Sequence, residues 1–371
     1  MLKSKKIQMK KIYAITSVRN EEDIIESFIR YSLCIVDGMV VNENFSSDGT
    51  LEILKNLKKE GLNIEIIEDK RAMFPQERRT NELLSYTMEK YKPDWVFSLD
   101  ADEFLACREE SSLIEAIELL NPLKINLFEW ETYVFNGEEE EILFIPEKFK
   151  YVRNEKRKYC KTAMSKELYE KGTSLSIGSH ELIFSSSENL KREVNKNLYI
   201  AHYPVRSAEQ ISKKIILGVL NKLTQYPKDS DTNYHQQRIY DQMIKKGTCI
   251  DNETLHEISK MYAIEDTREN PTILYKPLNL DFCKNITLKY SRKNDLDNDI
   301  FSYTLNIAEV LIEGLREQKE KTEKSLETLQ EEHNAIKKSL DSIINSKGWK
   351  IVERLRELKR IISNFFRRRS Q

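Results

Sequence analysis

Trp95-Val96-Phe97-Ser98-Leu99-Asp100-Ala101-Asp102-Glu103-Phe104 places an apolar run directly before two carboxylates spaced i and i+2. A short β-rich apolar run that ends in a polar turn predicts a buried strand, and in open α/β sheets ligands bind at the carboxyl ends of such strands. Two carboxylates there suit a hard divalent cation, which keeps open positions for phosphate oxygens. Asp-x-Asp is common by chance in acidic loops. Its place behind Trp95-Val96-Phe97 is what gives it weight.

The pattern around this stretch agrees with it. From Lys11 to about Trp95, short β-rich runs alternate with longer segments of helical period, the signature of stacked βαβ units and a parallel sheet. Strands are expected over Lys11 to Val18, Gly38 to Asn42, Asn63 to Glu68 and Asp94 to Leu99. Helices are expected over Glu21 to Leu33, Thr50 to Glu60 and Gln76 to Tyr91. Beyond Glu110 the pieces are less regular, with strands expected over Lys124 to Phe135, Lys158 to Ser165, Thr173 to Ile177 and Leu198 to Tyr203, and a helix over Ser207 to Leu223. The fold class expected is α/β, doubly wound in its first hundred residues.

Composition narrows the partners. Charged residues make up 33% of the 371, yet 60 basic and 61 acidic side chains nearly cancel, so the surface is paired charge and no nucleic-acid partner is expected. No apolar stretch reaches the ~18 residues of a membrane span, and the basic residues of Met1-Leu2-Lys3-Ser4-Lys5-Lys6 precede no apolar segment of a secretory signal. Cys34, Cys107, Cys160, Cys249 and Cys283 are odd in number and form no C-x-x-C pair, which argues against a disulfide framework or a zinc knuckle. A cytoplasmic location is expected.

The C-terminal part changes character. Ala308, Ile312, Leu315, Lys319, Thr322, Leu326, Leu329, His333, Ile336, Leu340 and Ile343 fall at alternating steps of four and three, a heptad seam that implies either a homo-oligomeric coiled coil or a helix packed on its own chain. Lys347 to Gln371 holds nine basic and two acidic residues, a net of +7, interleaved with Trp349, Ile351, Val352, Leu355, Leu358, Ile361, Ile362, Phe365 and Phe366. Such a helix can lie in the headgroup region of an anionic membrane or pack its stripe against its own protein.

Five motifs in order resemble a family-2-type glycosyltransferase of the GT-A fold. They are Val18-Arg19-Asn20-Glu21, Ser46-Ser47-Asp48-Gly49-Thr50, Glu68-Asp69, Arg78-Arg79-Thr80-Asn81 and Leu99-Asp100-Ala101-Asp102-Glu103-Phe104; the resemblance covers Lys10 to about Gly218. It implies a GT-A nucleotide-diphospho-sugar transferase domain over 1–225, leaving a helical extension of unassigned role over 226–300, a coiled coil over 301–346 and a basic amphipathic tail over 347–371. It also implies metal-dependent, inverting transfer of a sugar to an acceptor hydroxyl, of the kind used in bacterial surface-glycan or glycoprotein assembly, with a glycan, lipid-linked or protein acceptor. Membrane contact through the basic tail would place the protein peripherally at the inner face of the membrane, near a lipid-linked acceptor.

The same resemblance assigns residues. Asp69 would contact the nucleotide base, and Arg79 and Asn81 would face the nucleotide. Asp48 is the acid of an Asp-Gly-Thr turn and equally a cap for the helix at Thr50. Arg19 and Glu21 open the first helix, whose N–H groups favour an anionic diphosphate; capping alone also accounts for Glu21. Asp100 would meet the donor and, with Asp102, hold Mn²⁺ or Mg²⁺, completed by a histidine at a strand end, His180 or His202. Single displacement needs a carboxylate to take the acceptor's proton. Glu131 and Glu181 are candidates, with Glu131 preferred. Lys161, Arg206 and Lys213 could neutralise the diphosphate, but in a chain with 60 basic residues a solvated face is the expected place of any one of them.

Other classes fit less well. A haloacid-dehalogenase-type phosphatase calls for a small residue where Phe104 stands, and a nucleotidyltransferase calls for a Gly-rich loop where Ser17-Val18-Arg19-Asn20 has no glycine. The alternative of a different kind is a catalytically silent nucleotide-sugar-binding scaffold that acts through its coiled coil; intact Asp100 and Asp102 favour an enzyme.

Overall fold

A computed structural model describes residues 9–71, 76–108, 113–137, 143–155, 159–184, 190–224, 234–242, 250–264, 270–291 and 300–368. The chain divides into two compact units, Met1–Leu311 and Ile312–Gln371.

The first unit opens with β1 (Ile12–Val18), α1 (Ile25–Ser32), β2 (Gly38–Glu43), α2 (Thr50–Lys59), β3 (Ile64–Glu68), α3 (Gln76–Tyr91) and β4 (Trp95–Ser98). These four strands are mutually parallel in the order β3-β2-β1-β4. Alternation along the strands builds two cores. Ile12, Ala14, Met39, Val41, Trp95 and Phe97 meet Ile25, Phe28, Ile53 and Leu57 from α1 and α2 on one face. Tyr13, Ile15, Val40 and Val96 meet Leu83, Leu84 and Met88 from α3 on the other. Burial on both faces is why β1, β2 and β4 read as largely apolar runs, whereas β3 at the sheet edge keeps Glu65 and Glu68.

The chain continues through β5 (Glu103–Cys107), α4 (Leu113–Glu118), β6 (Ile125–Thr132), α5 (Ile145–Lys148), β7 (Tyr151–Asn154), β8 (Cys160–Ser165), α6 (Lys166–Glu170), β9 (Ser174–Leu175), β10 (Leu182–Ile183), β11 (Arg192–Val194), β12 (Leu198–His202) and α7 (Ala208–Thr224). Among the described residues the sheet has nine strands, extended beyond β4 in the order β8-β6-β12-β5. β8 runs antiparallel to β4 and β6, β12 parallel to β6, and β5 antiparallel to β12. β11 pairs with the first half of β6 and β12 with its second half, so the two act as one interrupted strand.

Three elements depart from the sequence expectation. Glu103–Cys107 is a strand, because Phe104, Leu105 and Ala106 are buried where β5 pairs β12. The first helix begins at Ile25 instead of Glu21, since Asn20 takes a left-handed φ of 57° and Glu21 to Ile24 form a turn. Residues 226–300 are not purely helical. Besides α8 (Tyr234–Gln242) and α9 (Asn252–Met261) they contain β13 (Thr272–Tyr275), antiparallel to β7, and Leu255, Ile258, Tyr262, Leu278 and Cys283 join the same core as β1. Buried Glu26 of α1 accepts the backbone N–H groups of Lys289, Tyr290 and Ser291, so the chain near residue 290 is tied to the first helix. The parts of 226–300 at 226–233, 243–249, 265–269 and 292–299, and Arg369 to Gln371 of the tail, lie outside the described residues.

The second unit consists of the greater part of α10 (Ile300–Asn345) and of α11 (Lys347–Arg368). Ser346 separates the helices; its Oγ accepts the Trp349 N–H and so caps α11. The seam side chains Ile312, Leu315, Leu326, Leu329, Ile336, Leu340 and Ile343 are exposed, as are Ile351, Val352, Leu355 and Leu358 on α11. Among the described residues no helix is long and apolar enough to cross a membrane.

Candidate active site at the carboxyl ends of β1 and β4

After β4 the Leu99 N–H still bonds the Ile15 carbonyl of β1, and Leu99 and Ala101 are buried in the core. Asp100 and Asp102 alternate with them and line a cleft of about 420 Å³. The Glu103 N–H bonds the Asp100 carbonyl, while a Glu103 carboxylate oxygen accepts the Asp100 N–H at 2.9 Å, which fixes the turn from both ends.

Asp102 is 5% exposed. Its Oδ2 lies 2.7 Å from Lys214 Nζ, 3.8 Å from His202 Nε2 and 4.0 Å from Arg206 Nη1. His202 comes to this point because β12 pairs with β5 in a register that sets His202 opposite Glu103, and the Tyr203 N–H bonds the Asp102 carbonyl. Burial pushes the Asp102 carboxyl up, but Lys214, His202 and Arg206 outweigh burial and hold it far below the usual carboxylate range. Burial lowers His202 to about 3 against the pull of Asp102, so the imidazole is neutral at pH 7. Its Nδ1 is buried and has no hydrogen-bond partner among the described residues. Arg206 is fixed by paired bonds to Asp23 at 2.6 and 2.9 Å and one to Glu21 at 2.6 Å.

Asp100 is met from the other side by buried Lys161 of β8, whose Nζ lies 3.0 Å from Asp100 and 2.9 Å from Glu103. Burial alone would lower this ammonium; the two carboxylates hold it above its ordinary value and charged.

The opposite wall is made by the loops after β1 and β2, stitched together by hydrogen bonds. Asn20 N–H donates to Ser46 Oγ, Ser47 N–H to Asn20 Oδ1, Glu21 N–H to Thr50 Oγ1, Glu22 N–H to Asp48 and Gly49 N–H to Glu22. Asp48 also accepts the Thr50 N–H at 3.0 Å, so it braces the start of α2 as well as lining the cleft. Burial raises its carboxyl to about 6.

Of the residues expected from sequence, Arg19, Glu21, Asp48, Asp100, Asp102, His202 and Lys213 line the cleft, and Lys161 and Arg206 reach its two aspartates. Asp69, Arg79, Asn81, Glu131, His180 and Glu181 do not line it. Asp69 forms a 2.9 Å ion pair with Arg79, and the Asn81 amide is spent on both backbone groups of Leu175. Of the two histidines, His202 lines the cleft and His180 does not; the His180 Nδ1 donates to the Cys160 carbonyl at 2.8 Å and its ring packs near Trp130 and Tyr159. Glu131 is buried between Arg108 and Lys276. Successive strand residues face opposite sides, so it is Trp130 of β6 that lines the cleft, stacked on His202.

Lys214, Tyr262 and Ala263 line the cleft without a sequence signal: Lys214 is one lysine on a helix, and the other two belong to the segment after residue 225. Among the described residues no group of three or more His, Cys, Asp or Glu side chains is gathered about one point as a metal cage would need. Asp102 and His202 fit an ion nonetheless: Asp102 Oδ2 and His202 Nε2 lie 3.8 Å apart, within the about 4.2 Å that two ligands at about 2.1 Å can bridge.

No protein-family model matches the chain, and no curated protein matches it. Solved structures similar to it include glucosyl-3-phosphoglycerate synthase from Mycobacterium tuberculosis in complex with Mn²⁺, uridine diphosphate and glucosyl-3-phosphoglycerate, at 18% identity and a TM-score of 0.23, covering 33% of this chain and 44% of that one. HddC from Yersinia pseudotuberculosis matches at 12% identity and a TM-score of 0.31, covering 52% of this chain and 93% of that one. A mycobacterial protein matches at 16% identity and a TM-score of 0.27, with coverages of 46% and 59%. The chain thus spans under half the length of the synthase it matches. The functional reading rests on the cleft itself.

Proposed function

We propose that the chain is a metal-dependent glycosyltransferase of the GT-A type, which moves a sugar from a nucleotide-diphospho-sugar to an acceptor hydroxyl with inversion. The observation that carries this reading is the meeting of Asp100, Asp102 and neutral His202 at the carboxyl ends of parallel strands, in a cleft that Lys213 and Lys214 also line. Asp102 and His202 would hold Mn²⁺ or Mg²⁺, with Asp100 reaching the donor. The chemistry such an ion supplies there is neutralisation of the leaving diphosphate.

The chain's own residues do the rest. Lys213 and Lys214 attract the anionic donor into a cleft otherwise rich in carboxylates. Arg206 holds Glu21 and Asp23, and through them the loop after β1, against the start of α7. The indole of Trp130 closes one side of the cleft and excludes water from the His202–Asp102 pair. In this reading the proton of the acceptor hydroxyl passes to a carboxylate of the cleft wall, among Glu21, Glu22, Asp23 and Asp48. Asp69 and Arg79 support the sheet edge beside it.

The exposed apolar seam of α10 fits a second copy of this chain. In parallel register Glu332 and Lys337 flank the seam at positions that pair between helices. The exposed Ile351, Leu355 and Leu358 stripe of α11, flanked by Arg354 and Lys359, fits an anionic membrane surface.

The test is a panel of nucleotide-sugars with and without Mn²⁺, read as ligand-induced thermal stabilisation. One donor class should stabilise the protein only with the metal present. Stabilisation by no donor, or by a donor equally without metal, would refute the proposal.

A further inference from the structure

We infer that Lys214 is the resident counter-cation of Asp102, occupying the place a divalent ion takes and leaving it when the ion binds; this rests on the metal-dependent reading above. Lys214 Nζ and His202 Nε2 address the same oxygen, Asp102 Oδ2, at 2.7 and 3.8 Å. An ion held between that oxygen and the imidazole lies against the ammonium, and two cations on one buried oxygen repel strongly. One of them has to move.

Among the described residues two cations neighbour Asp102, and they differ in how firmly they are held. Arg206 is 2% exposed and locked by its bonds to Asp23 and Glu21. Lys214 is 26% exposed, its carboxylate partner at hydrogen-bond distance among the described residues is Asp102, and its ammonium lies 5.7 Å from the centre of the Tyr262 ring, a second resting place within the same cleft. A buried carboxylate without a counter-ion is costly, so the lysine keeps Asp102 ionised and in place while no metal is bound. Displaced, a flexible ammonium on α7 remains inside the cleft, where an anionic diphosphate needs a cation.

The experiment is Mn²⁺ binding to the full chain without nucleotide, followed by loss of the free-ion electron paramagnetic resonance signal. Lys214→Met should bind Mn²⁺ about ten-fold more tightly than the wild type. Lys214→Gln, which keeps a hydrogen bond to Asp102 without the charge, should do the same and serves if the Met variant does not fold. Lys214→Arg, which keeps the charge, should stay near the wild type. Unchanged or weaker Mn²⁺ affinity in both neutral variants would overturn the role of the lysine and leave the metal site standing. Absence of Mn²⁺ binding in every protein, wild type included, would overturn both.

Discussion

The indole of Trp130 stacks on the imidazole of His202, ring centroids 4.2 Å apart and planes 29° from parallel. The two residues stand on adjacent parallel strands, β6 and β12. The stack shields the imidazole from water, which keeps it neutral, and it restrains the ring so that Nε2 faces Asp102.

Trp130→Ala should therefore weaken donor binding in the presence of metal by about ten-fold, because the imidazole gains rotational freedom and water reaches the pair. Trp130→Phe keeps a stacking ring and should stay within about three-fold of the wild type. Titration calorimetry separates the two; equal affinity in the Ala variant would show that the stack positions nothing.

Glu131→Gln should leave turnover within a few-fold of the wild type, since Glu131 is engaged by Arg108 and Lys276 outside the cleft. It should cost about 1–3 kcal/mol of stability, because a buried carboxylate is removed from between two cations. A loss of turnover on the order of 10³-fold without loss of fold would reinstate Glu131 as the base.

Acid should act on the Asp69–Arg79 pair. Burial pushes the Asp69 carboxyl up, but bonds from Arg71 and Arg79 prevail and hold it at about 2, below its ordinary 3.8. With the folded value the lower one, this stabilisation is complete above pH 3.8 and is lost as the pH falls toward 2. Asp69→Asn should cost about 1–2 kcal/mol at neutral pH and flatten the stability profile across that window. Urea unfolding at a series of pH values reads both; an identical slope in the variant would exclude the pair as its source.

Sequence periodicity found the parallel half of the sheet because β1, β2 and β4 are buried and bounded by polar turns, while β3 at the sheet edge shows as a short β-rich run. It found Asp100 and Asp102 because a strand end is visible in a single stretch. What it missed depends on partners far along the chain. Trp130 and Glu131 are adjacent in sequence, and only the pleat of β6 decides which faces the cleft. His180 and His202 look alike as strand-end histidines; the register of β12 on β5 separates them. Lys214 meets a carboxylate 112 positions away, a contact that no local pattern encodes.

A chain ending at Ile307 should form a smaller particle by light scattering than the full chain, because the seam of α10 then has no counterpart. A chain ending at Ser346 should keep the large particle and lose salt-sensitive co-sedimentation with anionic vesicles, since α11 carries the basic apolar stripe. Equal particle sizes would refute the intermolecular coil, and equal pelleting would refute membrane contact through α11.

The central claim is that Asp102 serves a metal-held diphosphate. Calorimetric titration of the donor selected by the nucleotide-sugar panel tests it most directly, with wild type and Asp102→Asn compared in Mn²⁺ and in chelator. The Asn variant keeps the shape of the side chain and removes the charge. The account predicts binding to the wild type in Mn²⁺ that falls by about 100-fold or more on chelation, and by a similar factor in Asp102→Asn with Mn²⁺ present. Donor binding that neither the chelator nor Asp102→Asn diminishes would contradict it.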